Sequence, residues 1–246
     1  MNPVIDTLIN HRSDRSYLDK AVPDTILDNI LLAAYRAPTS IHSQQVSAIV
    51  TRDKATKAKI AELAGGQPWI AQAPVFITFV LDMYKTREAM KLIDEQHIAH
   101  ESIESVVSGS TDVGIALASA MAAAHAQGLG VVPIGGMRRS PAEFIDLFEL
   151  PPLTFPLVGL ALGYVDRPAD LKPRLPMSTF RHEEKYQTEG LVEKIGQFNR
   201  ELEQHWQDIK RDGGENWSQT VTNYYKNIYF PQVLPALLQQ GFGKDK

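Results

Sequence analysis

Apolar residues recur along this chain at two periods, and the switches between them lay out its elements. Val4, Ile5, Leu8 and Ile9 fall at helical spacing over residues 2–10 and predict a short amphipathic helix leading into His11. Pro23 opens a second helix where its missing N–H costs nothing. Ile26, Leu27, Ile30, Leu31 and Ala34 line its buried face, and Pro38 ends it. Val46 to Val50 reads as a short strand, and Lys54 to Leu63 as a helix stopped by Gly65-Gly66. Pro74 to Leu81 is a continuous apolar, β-branched and aromatic run, the pattern of a central strand buried on both faces. Residues 84–106 read as helical with one polar side, and Thr111 to Gly128 as a long Ala-rich helix. Gly114, Ala118, Ala122 and Ala123 would let that helix approach a neighbour closely, in the domain centre or at a subunit interface.

After Gly128 a strand runs into the Gly135-Gly136 turn, and Ser140, Pro141 and Glu143 read as a capping-box start to a short helix. Leu157 to Leu162 is a further apolar strand. From Arg181 onward Glu, Gln, Lys and Asn are dense, with apolar residues at helical spacing. Two helices split near residues 212–214 are expected there, as an extension rather than an independent domain. The organisation is thus one domain over 1–246, with a core of about 1–180 and a helical extension of about 181–246. Interleaved strands and helices exclude an all-α or all-β fold, and their order lacks the regular alternation of a doubly wound sheet.

Composition narrows the partners. Lys plus Arg is 25 and Asp plus Glu 29, so 25 − 29 = −4, with no overall field toward nucleic acid or anionic lipid. Cysteine is absent, which removes disulfides, thiol nucleophiles and thiolate metal sites and fits a reducing cytoplasm. The N-terminal residues lack signal-peptide character, and the most apolar stretch, Val113 to Ala124, is shorter than the ~20 residues that span a bilayer. No membrane or nucleic-acid role is expected.

Four clusters carry candidate chemistry. His11-Arg12-Ser13-Asp14-Arg15 offers two guanidiniums, an imidazole and a hydroxyl to an anion, although a solvated turn with Asp14 paired to an arginine accounts for the same residues. The loop around Thr39, Ser40, His42 and Gln44 is rich in hydroxyl and amide groups. It suits a polyol chain or a heteroaromatic edge, and equally an ordinary helix-end turn. Pro133-Ile134-Gly135-Gly136 ends a strand with paired glycines that let backbone approach a flat ligand, or simply make a tight turn. Its spacing is not that of a dinucleotide fingerprint. Lys172-Pro173-Arg174 projects two cations from a stiff backbone, as an anion clamp or a basic surface turn. His97 and His100, with Glu95 and Glu101 near, could form a metal face, but a solvated helix surface explains them better, and no metal site is expected.

Taken in order, these segments resemble the nitroreductase family, and within it the larger oxygen-insensitive NADPH nitroreductases and FMN reductases. The carrying residues are His-Arg-Ser-x-Arg at 11–15, Thr-Ser at 39–40, Ala-Gly-Gly-Gln at 64–67, Gly-Leu-Gly…Ile-Gly-Gly at 128–136, Leu-Lys-Pro-Arg-Leu-Pro at 171–176 and Trp217-Ser218. The resemblance covers essentially the whole chain. It implies an α+β fold with a mixed central sheet surrounded by helices, in a homodimer with FMN at the subunit interface. By the same resemblance His11, Arg12, Ser13, Lys172 and Arg174 hold the FMN phosphate, and Arg15 and Gln67 face the pyrimidine edge. Thr39, Ser40 and His42 come from the partner subunit, and the backbone from Pro133 through Ile134, Gly135 and Gly136 lies near N5 and O4. A cation at the pyrimidine edge would stabilise the negative charge of reduced flavin. No protein acid, base or nucleophile is required, because the flavin carries the chemistry.

The implied activity is a ping-pong two-electron transfer from NADPH or NADH to nitroaromatics, quinones or flavins. Relatives selective for NADPH carry an arginine pair just before Trp-Ser. Here Gly213 and Gly214 stand there, with Lys210 and Arg211 slightly earlier as stand-ins for the 2′-phosphate. The competing readings are a reductase whose task is to supply reduced FMN, a non-catalytic flavin-binding protein, and an anion-binding module without flavin.

Overall fold

The computed structural model describes residues 2–243, which fall into two units: 2–169 with 230–243, and Asp170–Tyr229. The first unit is built on four strands, β1 (Val46–Thr51), β2 (Val75–Asp82), β3 (Gly130–Ile134) and β4 (Thr154–Gly163), in the order β1-β2-β4-β3. β2 is buried at all eight positions, as its unbroken apolar run predicts for an inner strand. All pairings are antiparallel, where the resemblance implied mixed strand directions. The α+β class is as expected.

The alternation of β2 sorts the core into two layers. Val75, Ile77, Phe79 and Leu81 point to one face, which is covered by α2 (Asp24–Tyr35) and α6 (Ile103–Ala126). Phe76 points to the other face. It joins Ile60 of α3 (Lys54–Leu63), Ile70 of α4 (Pro68–Gln72) and Phe144 of α7 (Pro141–Leu147). α1 (Pro3–Ile9) lies against α6, α5 (Tyr84–Lys91) follows β2, and α10 (Val233–Gln239) returns the chain to the first unit. The second unit holds α8 (Leu191–Asp208) and α9 (Trp217–Tyr225), closed around Phe198, Leu202 and Trp206.

Three local expectations need correction. The helix expected over 84–106 stops at Lys91, and residues 92–98 form a turn and an irregular run. His97 and His100 therefore meet across a loop and a short 3-10 turn, with Nδ1 to Nδ1 at 3.0 Å, not as neighbours on a helix. α6 begins at Ile103, eight residues before the expected start, because Ser102 caps it by accepting the Glu104 N–H. At 24 residues it is, among the described residues, the one helix long and apolar enough to cross a bilayer, yet its inner face is committed to the core. Finally, Ser140 sits before α7 without a side-chain capping bond, and Pro141 starts the helix instead.

Candidate functional site

Along β3 the fold gathers two of the predicted clusters, His11–Arg15 and Pro133–Gly136, with the 64–67 segment between them. The His11–Arg15 segment is tied to the sheet through its middle residue. Asp14 is buried, its N–H donates to Val131 O at 3.1 Å, and its Oδ1 accepts the Ala169 N–H at 3.1 Å. The Tyr17 hydroxyl donates toward both the Asp14 carbonyl, at 2.7 Å, and the Ala161 carbonyl, at 3.2 Å. Burial pushes the Tyr17 phenol well above its ordinary range, so it remains a donor at any physiological pH. With Asp14 turned inward and bonded to backbone, it is not the partner of a neighbouring arginine. Arg12 donates to Ala169 O at 3.1 Å and Arg15 to Ser13 O at 3.1 Å. The Arg15 guanidinium also lies 5.3 Å from the Trp69 ring centre.

Trp69 links that segment to the next cluster. It follows Gln67, whose Nε2 donates to Ala64 O at 2.7 Å and so folds the Gly65-Gly66 turn back on itself. Gly136 sits directly beneath: a Cβ there would run into the Ala64 carbonyl and the Gln67 amide. The space left by its missing side chain is taken by this turn. Ile134 is buried, while Pro133, Gly135 and Gly136 are partly exposed, and residues 135–139 continue as a 3-10 turn.

The fourth expected element of this unit, the Thr39–His42 loop, is held elsewhere. Ser40 N–H donates to Asp112 of α6, whereas His11 Nδ1 meets His125 Nε2 of the same helix at 3.2 Å. Those anchors are 125 − 112 = 13 residues apart, about 20 Å along a helix rising 1.5 Å per residue. A cavity of about 500 Å³ opens beside the loop, lined by Tyr35, Arg36, Thr39, His42, Phe79 and Lys85. It belongs to the loop's side of the molecule and not to the His11–Gly136 corner.

The second unit carries the remaining candidates, and two of them lie against one indole. Lys172 Nζ lies 5.9 Å and the Arg211 guanidinium 4.5 Å from the Trp206 ring centre. Trp206 Nε1 donates to Glu215 O at 2.9 Å, and Gly214 packs so closely on the indole that a Cβ would overlap it. Arg174 is exposed and curls back to donate to Lys172 O at 2.8 Å, and Lys210 takes a left-handed backbone (φ 54°) where α8 ends. Among the described residues no cluster of three metal-ligating side chains exists.

Sequence reasoning passed over Asp112, His125 and Trp69. Asp112 had a legible signal, as the one acidic residue in the small, apolar 111–126 run. His125 and Trp69 had none, because their value lies in contacts distant along the chain.

Residues 8–164 match the sequence model of the Nitroreductase family, and residues 172–245 that of the Nitroreductase family, C-terminal domain. The chain belongs to the nitroreductase family. It is 44% identical to the FMN reductase [NAD(P)H] of Bacillus subtilis (strain 168) over the full length of both chains. The solved structure of B. megaterium NfrA2 superposes with a TM-score of 0.97 at 42% identity, covering all of both chains. The NADPH:FMN oxidoreductase from Vibrio harveyi complexed with NAD+ superposes with a TM-score of 0.89 at 31% identity, covering 99% of this chain and all of that one.

Proposed function

We propose that this family member is an FMN-dependent NAD(P)H oxidoreductase that works as a homodimer in the cytoplasm and passes two electrons to nitroaromatics, quinones or flavins. The corner at the end of β3 carries the reading. A phosphate calls for forked cationic donors on a fixed backbone, and Arg12 projects from a segment pinned through Asp14 and Tyr17. A heteroaromatic edge calls for a positive charge and an amide, and Arg15 and Gln67 flank Trp69 and Gly136 there. The donor set therefore fits FMN.

In this reading His11, Arg12 and Ser13 bind the phosphate. Arg15 and Gln67 hold the pyrimidine edge, and backbone from Pro133 to Gly136 meets the ring. FMN held there would supply the redox chemistry, hydride transfer between a nicotinamide and a flat acceptor. Arg15 contributes positive charge where negative charge develops. Arg211, with Lys210 beside it, attracts the 2′-phosphate that distinguishes NADPH from NADH.

The homodimer draws support from two adjoining surfaces. Val4, Ile5, Leu8 and Ile9 of α1 are all exposed, and so are Ile103, Val107, Gly114, Ile115 and Ala118 on the outer face of α6. Apolar faces of this extent mark association. The 20 Å between the His11 and Ser40 anchors suits a loop that serves the partner's cofactor.

The test is an initial-rate study of purified protein supplied with FMN. NAD(P)H oxidation that requires FMN and gives parallel double-reciprocal lines supports the reading, and bound FMN with no such oxidation overturns it. A second reading, supply of reduced flavin, is favoured by the name of the 44% identical Bacillus subtilis relative. Higher kcat/KM for free FMN than for a nitrofuran would select it.

A further inference from the structure

Asp112 is anomalous in its surroundings. It occupies the middle of α6, is 3% exposed, and lies one residue from the fully buried Val113. Among the described residues no cation pairs with it. Its oxygens instead accept the Ser40 N–H, at 3.1 Å from each, and the Gln45 side-chain amide, at 2.8 Å. A carboxylate buried without a counter-charge is unfavourable unless strong donors surround it. Here every donor comes from one loop.

Those donors stand on either side of a strained stretch. Between Ser40 and Gln45, Ile41 (φ 48°), His42 (φ 59°) and Gln44 (φ 52°) all adopt left-handed backbone. Non-glycine residues rarely do so, and a β-branched one such as Ile41 scarcely ever. Such conformations persist only where the surroundings over-determine them, and they gather at sites that bind ligands. Asp112 grips both ends of the stretch, while Thr39 Oγ1 accepts the Gln44 N–H at 3.0 Å from within. The clasp also decides what the loop can offer. The Ser40 N–H is spent on Asp112 and one Thr39 Oγ1 lone pair on Gln44, which leaves the O–H donors of Thr39 and Ser40, and the His42 ring beside the Gln44 amide, to face a ligand. It thrusts Ile41 outward, 95% exposed.

We propose that Asp112 is a positioning residue for flavin binding, a buried carboxylate clasp that holds the strained Thr39–Gln44 loop in the conformation in which Thr39, Ser40 and His42 meet FMN. The proposal rests on the reading that this loop is a flavin contact. It adds a residue that touches no cofactor and acts only through backbone and Gln45.

The experiment uses the full chain and compares Asp112→Ala, Asp112→Asn and Gln45→Met with Thr39→Ala and Ser40→Ala. FMN dissociation constants are read from flavin fluorescence, amide exchange is followed across 39–45, and melting temperature is recorded for the apoprotein. Loss of a charge-assisted hydrogen bond predicts about a tenfold or larger rise in the FMN dissociation constant for Asp112→Ala. Asp112→Asn keeps one acceptor oxygen and is expected to recover part of that loss. Exchange at residues 40–44 rises in the same order. An FMN dissociation constant unchanged in the Asp112 and Gln45 variants despite a loosened loop, with Thr39→Ala or Ser40→Ala still weakening binding, overturns the clasp and leaves the flavin reading standing. No change in any of the five variants removes the loop from the flavin site, and the proposal with it. If Asp112→Ala does not fold, Gln45→Met decides between the same outcomes.

Discussion

The two units present their cations in opposite ways. In the first, Arg12 and Arg15 leave a segment fixed by a buried aspartate, a buried tyrosine and the edge strand β3. In the second, Lys210 and Arg211 lie on exposed loops, and the Arg211 guanidinium rests against the face of Trp206. Positions fixed by several hydrogen bonds to a sheet suit a resident group that must be held in one geometry. Side chains stacked on one indole can shift at little cost and suit a co-substrate that comes and goes. On this view the first unit holds the cofactor and the second tunes which nicotinamide is used.

The comparison is broken most severely at Gly136. A Gly136→Ala side chain meets the Ala64 carbonyl, which is backbone and cannot swing aside, as well as the Gln67 amide. The overlap is expected to cost about 1–3 kcal/mol of stability and to abolish FMN retention on gel filtration. Wild-type retention in this variant would mean that the 64–67 turn is not part of the site.

Asp14→Ala comes next. It leaves the Ala169 N–H without its acceptor and the segment without its anchor. A loss of about 1–3 kcal/mol in urea unfolding is predicted, with weaker FMN binding and no change in the NADPH to NADH preference. A changed preference would show that the two units do not divide the work.

Arg211→Ala is the reciprocal change. It is predicted to lower kcat/KM for NADPH by about tenfold, roughly 1.4 kcal/mol, and to leave NADH and FMN affinity alone. Equal losses with both nicotinamides would assign Arg211 to packing on Trp206.

The smallest effect concerns a polar contact away from both sets of cations. The Thr86 hydroxyl donates to Met83 O, so the His97 Nε2–H donates to Thr86 and His97 Nδ1 accepts from His100. Burial, then His100 and then Arg87 hold the His97 imidazolium below its ordinary pKa. The folded state consequently binds fewer protons than the unfolded chain. No penalty exists above about pH 6.5, and one grows as pH falls below that value toward the lowered pKa. Melting temperature should therefore decline below pH 6.5, and less steeply in His97→Gln. An identical slope in the variant would place the acid sensitivity elsewhere.

How much of this was legible in the sequence depended on range. β2 announced itself because eight consecutive positions are buried, and α3 because Gly65-Gly66 ends it on schedule. The His11–Arg15, Gln67 and Ile134–Gly136 pieces of the corner were legible as motifs. Their joining through Trp69 and Asp14 was not, since it depends on contacts across more than fifty residues. Composition misled at 92–98, where helix-tolerant residues lie in a loop beside the His97–His100 contact. It also misled at the start of α6, where a single serine cap outweighs the polar run before Thr111. The outward face of α6 is the converse case: Gly114 and Ala118 were legible as close-approach residues, and both are exposed within one chain.

The central claim, that this chain reduces bound FMN with a nicotinamide, is tested most directly by anaerobic stopped-flow of the FMN-loaded protein. NADPH and NADH are added separately while the flavin band near ~450 nm is followed. Rapid bleaching by at least one donor is the predicted result, with NADPH losing its advantage in Arg211→Ala. Bound FMN that neither donor bleaches would contradict the account and leave a flavin-binding protein without reductase activity.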